Sequence, residues 1–167
     1  MAGANDTAID RENLRNRYRQ VNFSPSAVDG LIQAHERVLE LGKSTGWEWI
    51  VSVDCATGKF VGERTDKKPG RVSWKHEGNI AGVHNHPDST TFSEADVYSF
   101  VCNKDARALS IQGHDGSFYI LTRLNKDSKT LTKNCIKDSF ESALLEDCFK
   151  TLSYAQRSEI AVKSLAS

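Results

Sequence analysis

Ile80-Ala81-Gly82-Val83-His84-Asn85-His86-Pro87-Asp88-Ser89-Thr90-Thr91-Phe92-Ser93-Glu94-Ala95-Asp96 joins two structural patterns within one short stretch. Ile80 to His84 is small and apolar and predicts a strand that runs straight into the histidines. Pro87 begins a polar connection of six residues, Pro87 to Phe92. Ser93 to Asn103 predicts a helix with Val97, Phe100 and Val101 on one side, and Ser93-Glu94-Ala95-Asp96 has the spacing of a capping box with Asp in the usual Glu position. A strand followed by a short loop and a helix is a building block of an α/β domain.

The flanking sequence extends that pattern in both directions. Upstream, Ser24-Pro25-Ser26 supplies a capping hydroxyl and a proline suited to a first helical turn. Val28, Leu31, Ile32, His35, Val38 and Leu39 follow at helical spacing, with Gly42 as the expected stop. His35 lies on the apolar face and reads as a core histidine. Glu48 to Val53 predicts a strand, Asp54 to Gly58 a turn and Lys59 to Glu63 the return strand of a hairpin. Pro69-Gly70 marks a loop, with a short strand expected over Arg71 to Trp74.

Downstream, Leu109 to Ile111 and Phe118 to Leu121 predict strands around a His114-Asp115-Gly116 turn, which together with His76 is expected to be solvated. Beyond Asn125 the pattern is helical. Ile136, Phe140, Ala143, Leu144 and Cys148 form one stripe, and Ile160, Ala161 and Leu165 a weaker one. The expected organisation is a polar lead-in over 1–22, helical in part from Asp10 to Tyr18; an α/β domain over 23–124; and a helical extension over 125–167 packed on it.

Composition narrows the classes of function. The chain has 167 residues, 38% hydrophobic and 26% charged, and its 22 Lys plus Arg balance 22 Asp plus Glu. That is the profile of a globular domain without the basic excess of a nucleic-acid binder, so no nucleic-acid partner is expected. No run approaches the roughly 20 apolar residues of a membrane helix, and Met1 to Gln20 has no apolar signal core. A cytoplasmic protein without a membrane partner is the expectation. Cys55, Cys102, Cys135 and Cys148 are too far apart for a Cys-x-x-Cys motif and read as reduced thiols.

His84 and His86, two apart at a strand end, project to the same side and can converge on one ion. Neutral imidazoles suit zinc, a carboxylate completes a three-ligand set, and a fourth position then remains for water. Asp96, one turn into the following helix, is the nearest such carboxylate. Ser93 has two compatible readings: a helix N-cap, and a hydroxyl beside the metal that donates to an oxyanion where the helix terminus favours negative charge.

His84-x-His86-Pro87 followed by Ser93-x-x-Asp96 resembles the signature of the JAB/JAMM (MPN-type) zinc metallopeptidases, and His-Asn-His-Pro is most similar to the RadC-type and phage-associated bacterial branches. The resemblance covers about residues 24 to 122. It implies an MPN/JAB-like mixed sheet flanked by helices and one Zn2+ per chain held by His84, His86 and Asp96. It also implies a catalytic Ser93 and hydrolysis of a peptide, isopeptide or related amide in a protein substrate, including a ubiquitin-like tail.

The family also uses an upstream glutamate as the base that accepts a proton from the attacking water. Glu48 occupies that place, flanked by Trp47 and Trp49, where partial desolvation would raise its pKa. Glu63 and Glu77 are its rivals. Two departures stand out. The family pattern commonly has seven residues between the second histidine and the serine, against six here. Only 35 residues separate Glu48 from His84, leaving no room for the insertions with which ubiquitin-cleaving members hold ubiquitin. The alternative expectation is a non-catalytic zinc-binding module for protein interaction. In HNH nucleases the three named residues are dispersed through a ββα unit rather than adjacent, so His84-Asn85-His86 does not indicate one.

Overall fold

The structure, a computed structural model, describes residues 9–74, 77–103, 105–123 and 165–166. The expectations for the lead-in before residue 9, for His76 and for the helical stripes between 125 and 164 lie outside them. The elements run α1 (Arg11–Gln20), α2 (Pro25–Thr45), β1 (Ile50–Asp54), β2 (Phe60–Arg64), β3 (Ile80–His86), α3 (Glu94–Cys102), β4 (Ala106–Gly113), β5 (Phe118–Thr122) and β6 (Leu165–Ala166). The strands form one mixed sheet in the order β2-β1-β3-β4-β5-β6.

Only β3 and β4 pair in parallel; every other neighbour is antiparallel. A parallel pair cannot be closed by a tight hairpin, so the chain crosses over between them through the loop after His86 and α3. The end of β3 that carries His84 and His86 is therefore the carboxyl end of a parallel strand, the edge at which α/β sheets form crevices.

Alternation along the strands divides the core into two layers. Val51, Val53, Ala81, Val83, Ala108, Phe118 and Ile120 face α1 and α2, where they pack with Leu14, Tyr18, Val28, Leu31 and Val38. Ile50, Ile80, Leu109, Ile111 and Leu121 face the other way and pack with Trp74, Phe92, Val97 and Phe100. The sheet is thus covered by α1 and α2 on one face and by α3 with the Trp74 segment on the other. Among the described residues, no helix is long and apolar enough to cross a membrane.

Several boundaries differ from expectation for identifiable reasons. The helix in the lead-in forms with Asp10 as its cap, but Leu14 and Tyr18 are fully buried in the same core as α2, so α1 is part of the packed domain. Gly42 does not end α2; Gly46 does, at φ 72, and its N–H bonds to the Gly42 carbonyl. Arg71 to Trp74 is not a strand. Ser73 is held instead by Asp66, whose Oδ2 accepts from its N–H at 2.9 Å and its hydroxyl at 2.6 Å. Leu165 belongs to a two-residue strand beside β5, not to a helix.

His35 is a core histidine, as expected, and it has a full set of partners. Its Nε2 lies 2.8 Å from the Tyr18 hydroxyl, which is itself 2.7 Å from Ser110 Oγ, and its Nδ1 lies 2.9 Å from Gln112 Oε1. This network ties α1 and α2 to β4 across the core. Burial lowers the His35 pKa to about 4, against about 6.5 in the unfolded chain. The folded state therefore excludes a proton that the unfolded chain accepts. The associated stability is complete above the unfolded value and is lost as pH falls from about 6.5 through 4. It amounts to roughly 3 kcal/mol across that window. Urea unfolding should show this acid loss in the native chain and a flatter dependence over the same window in His35→Gln; equal slopes would show that His35 is protonated in the folded protein.

Candidate metal centre

β3 delivers His84 and His86 to the α3 side of the sheet, both buried. The connection after them closes by local hydrogen bonding. Ser89 donates its N–H to the His86 carbonyl at 3.0 Å and adopts a left-handed φ of 58. Asp88 Oδ1 accepts from the Thr90 hydroxyl at 2.8 Å and from its N–H at 3.3 Å. These turns use up the six residues and return Ser93 to the sheet.

The capping box then forms in full. Asp96 N–H donates to Ser93 Oγ at 3.2 Å, while Asp96 Oδ2 accepts from Ser93 N–H and from the Ser93 hydroxyl, each at 2.7 Å. The loop, one residue shorter than the family pattern, thus still places Asp96 beside the histidines.

Three side chains converge. His84 Nε2 and His86 Nε2 are 3.0 Å apart; Asp96 Oδ1 is 3.4 Å from His84 Nε2 and Oδ2 is 3.5 Å from His86 Nε2. Ligands bound about 2.0–2.1 Å from a tetrahedral zinc are separated by about 3.3 Å, and the separation of the two rings and that of each ring from its nearer Asp96 oxygen fall close to that value. Among the described residues this is the group of histidine, cysteine and carboxylate side chains spaced to hold a metal ion.

The protonation pattern suits a cation as well. His86 Nδ1 lies 3.0 Å from the Thr90 carbonyl, which can only accept, so Nδ1 carries the hydrogen and Nε2 presents its lone pair to the other donors. His84 Nδ1 is buried without a hydrogen bond, although the Ser110 backbone lies close enough to favour a proton on that ring.

Burial alone would raise the pKa of Asp96, but His84, His86 and the Ser93 hydroxyl outweigh it and hold the carboxyl far below the usual carboxylate range. Burial lowers His84 against the pull of Asp96. On His86, burial is outweighed by Asp96 and the ring is raised. Asp96 is thus the fixed negative charge of the site and draws positive charge toward His86. Its donors are two imidazoles and one carboxylate, the set that suits zinc.

Glu48 lies on the same wall. Ile50 pairs with His84 in the β1–β3 ladder. Two residues back along one strand and two forward along the other, Glu48 meets His86 on the same face. Glu48 is 8% exposed, and its Oε1 is 3.9 Å from His86 Nε2. Burial, opposed by His86 and reinforced by Asp96 and Asp88, pushes its pKa up to about 7.

The rivals lie elsewhere. Glu63 is engaged by Arg37 through two contacts of 2.8 and 3.3 Å. Glu77 is exposed and does not line the cavity in front of the donors.

That cavity has a volume of about 660 Å³ and includes Glu48, His84, His86, Ser93 and Asp96 in its lining. Its far wall is the Pro69–Trp74 segment; of it the sequence offers only Trp74, read with Trp47 and Trp49 as core or cleft wall. Trp74 is buried against Gly82 and Ile50 and donates its indole N–H to Ser52 Oγ at 3.1 Å. Trp49 packs on the opposite core layer and is not a wall. Thr90 and Asn85 were also missed. Thr90 meets His86 Nδ1 with both its carbonyl and its hydroxyl, at 3.0 and 3.2 Å, whereas Asn85 stood between the two histidines.

Comparison with protein-family models, with curated proteins and with solved structures finds no match for this chain.

Metal analysis of the purified protein should give about one zinc per chain, abolished in His84→Ala, His86→Ala or Asp96→Ala. Ser93→Ala leaves the three ligands in place but removes one support of Asp96. Such losses lower metal affinity about 10- to 100-fold, to be read by competition with a zinc chelator.

Proposed function

We propose that this chain is a zinc-dependent hydrolase of the JAB/JAMM type that cleaves a peptide, isopeptide or related amide bond. The observation that carries the reading is the Glu48 carboxylate, buried and 3.9 Å from His86 Nε2, on the wall of a cavity that also contains the three convergent donors. A purely structural zinc site is normally closed by four protein ligands. Here three donors face an open cavity with a second, separate carboxylate beside them.

Zinc held by His84, His86 and Asp96 would supply Lewis acidity, activating water and polarising the amide carbonyl. Glu48 Oε1 accepts the proton of the attacking water and returns it to the leaving amine nitrogen. Thr90 fixes the His86 ring through Nδ1, so that Nε2 remains a ligand throughout. Burial of Glu48 raises its pKa toward neutrality, where the carboxyl can both take and return a proton.

Ser93 has a double duty in this reading. Its hydroxyl hydrogen is directed to Asp96 Oδ2, so it orients the carboxylate ligand first. Donation to the amide oxygen requires that hydroxyl to turn toward the cavity it lines. The order of helix, hairpin, strand, helix and hairpin around the site supports the resemblance to the JAB/MPN architecture. A flexible peptide tail, including a ubiquitin-like one, fits a cavity of this size better than a folded surface does.

Incubation of the zinc-loaded protein with a peptide and isopeptide library, read by mass spectrometry, should reveal cleavage that a chelator abolishes and added zinc restores. Glu48→Gln should retain zinc and lose about 10²- to 10⁴-fold in rate, the scale of general-base catalysis. Undiminished cleavage by Glu48→Gln would overturn the role given to Glu48. A zinc-loaded chain inert toward the whole library would favour the interaction module.

A further inference from the structure

The side chain of Asn85, between the two ligands but on the opposite face of the sheet, holds more of the site together than its position suggests. It is fully buried. Asn85 N–H donates to the Trp49 carbonyl at 3.2 Å, as a β1–β3 ladder requires. The return bond is different: Trp49 N–H donates to the side-chain oxygen Oδ1 at 2.8 Å. Asn85 Nδ2 then donates to the Trp47 carbonyl at 3.1 Å and lies 3.1 Å from His114 Nε2.

One amide therefore clasps the residues on both sides of Glu48. Its orientation is unambiguous, because Trp49 offers only a donor and the Trp47 carbonyl only an acceptor. The second hydrogen of Nδ2 points to His114 Nε2, which accepts when the ring carries its hydrogen on Nδ1.

The surroundings are shaped for this amide. Gly42 of α2 faces it directly: a Cβ there would lie 2.2 Å from Asn85 Nδ2 and 2.7 Å from His114 Nε2. A helix interior normally gains stability from alanine in place of glycine, and here that substitution collides with the clasp. Glu48 itself is pinned only through its backbone, its N–H to the Lys68 carbonyl at 2.9 Å and its carbonyl from the Thr65 hydroxyl at 2.6 Å. Those two bonds tether it to the 65–68 segment. The Asn85 amide ties the residues on either side of Glu48, Trp47 and Trp49, to β3, the strand that carries His84 and His86.

We infer that Asn85 is a positioning residue: its side-chain amide, seated against Gly42 and His114, sets the Trp47–Glu48–Trp49 segment so that Glu48 reaches the metal donors. This rests on the reading of Glu48 given above. Asn85 touches neither metal nor substrate, and its effect must pass through Glu48.

Cobalt(II)-loaded protein provides the test, with the metal itself as the probe. The pH midpoint of the change in its visible bands should shift in Glu48→Gln, shift the same way in Asn85→Ala, and shift no further in the double variant, while all three retain one metal per chain. Gly42→Ala, which leaves Asn85 in place but crowds it, should shift the midpoint in the same direction and guards against a folding defect peculiar to Asn85→Ala. If Glu48→Gln shifts the midpoint and neither Asn85→Ala nor Gly42→Ala does, or if the shifts of Asn85→Ala and Glu48→Gln add, the inference is overturned and the Glu48 reading stands. A midpoint unmoved in Glu48→Gln overturns that reading and this inference with it.

Discussion

The antiparallel register of β1 on β3 is the constraint on which the site depends. Setting Ile50 opposite His84 places the Glu48 carboxylate and the His86 ring on the same face at the end of the ladder. A slip of one residue would turn every side chain of β1 to the other face. Glu48 would then leave the cavity, and Val51 and Val53 would leave the core they share with α2. The hydrophobic pattern of β1 and the geometry of the site thus enforce the same register, so the packing that stabilises the sheet also aims the carboxylate.

Two carboxyl groups beside the same histidines experience opposite environments. Asp96 sits at a helix N-terminus, accepts two hydrogen bonds from Ser93 and faces both imidazoles, and is held ionised. Glu48 lies in a drier part of the wall, with His86 as its favourable neighbour and Asp96 and Asp88 against it, and its proton is held more tightly. In the proposed hydrolase, groups whose environments separate their pKa values in this way would divide into a charge-bearing ligand and a proton carrier. The arrangement costs stability, because buried polar groups need partners, and the chain meets that cost with local bonds from Thr90 and Ser93 and a longer-range one from Thr65.

The reverse side of the sheet is equally polar where it backs the site. Asn85 and His114 lie under the end of α2, and farther along the same layer Tyr18, His35, Ser110 and Gln112 form a closed network. Such networks fix one arrangement of the elements they join, since an alternative packing would strand several buried donors and acceptors at once. α1 takes part through Tyr18, which is why a segment with a polar, charged sequence is integral to the domain.

Much of this was legible in the residues themselves. The alternation and capping signals located β3, α2 and α3, and the two histidines with Asp96 followed from local geometry, because strand period and helix start act over a few residues. Glu48 was legible as a candidate, but not its distance from His86, which depends on the pairing of strands some thirty residues apart in the chain. The irregular course of the segment before Trp74, held by Asp66, was not legible, since it is set by a neighbour brought there only by folding. Asn85 shows the division within a single residue. Its place between the ligands could be read from the sequence, while its work on the opposite face became visible only where Trp47, Trp49, His114 and Gly42 meet it. Local sequence determined which side chains could serve as ligands; tertiary structure decided which carboxylate stands beside them, because hydrogen-bonded register is a property of two segments together and of neither alone.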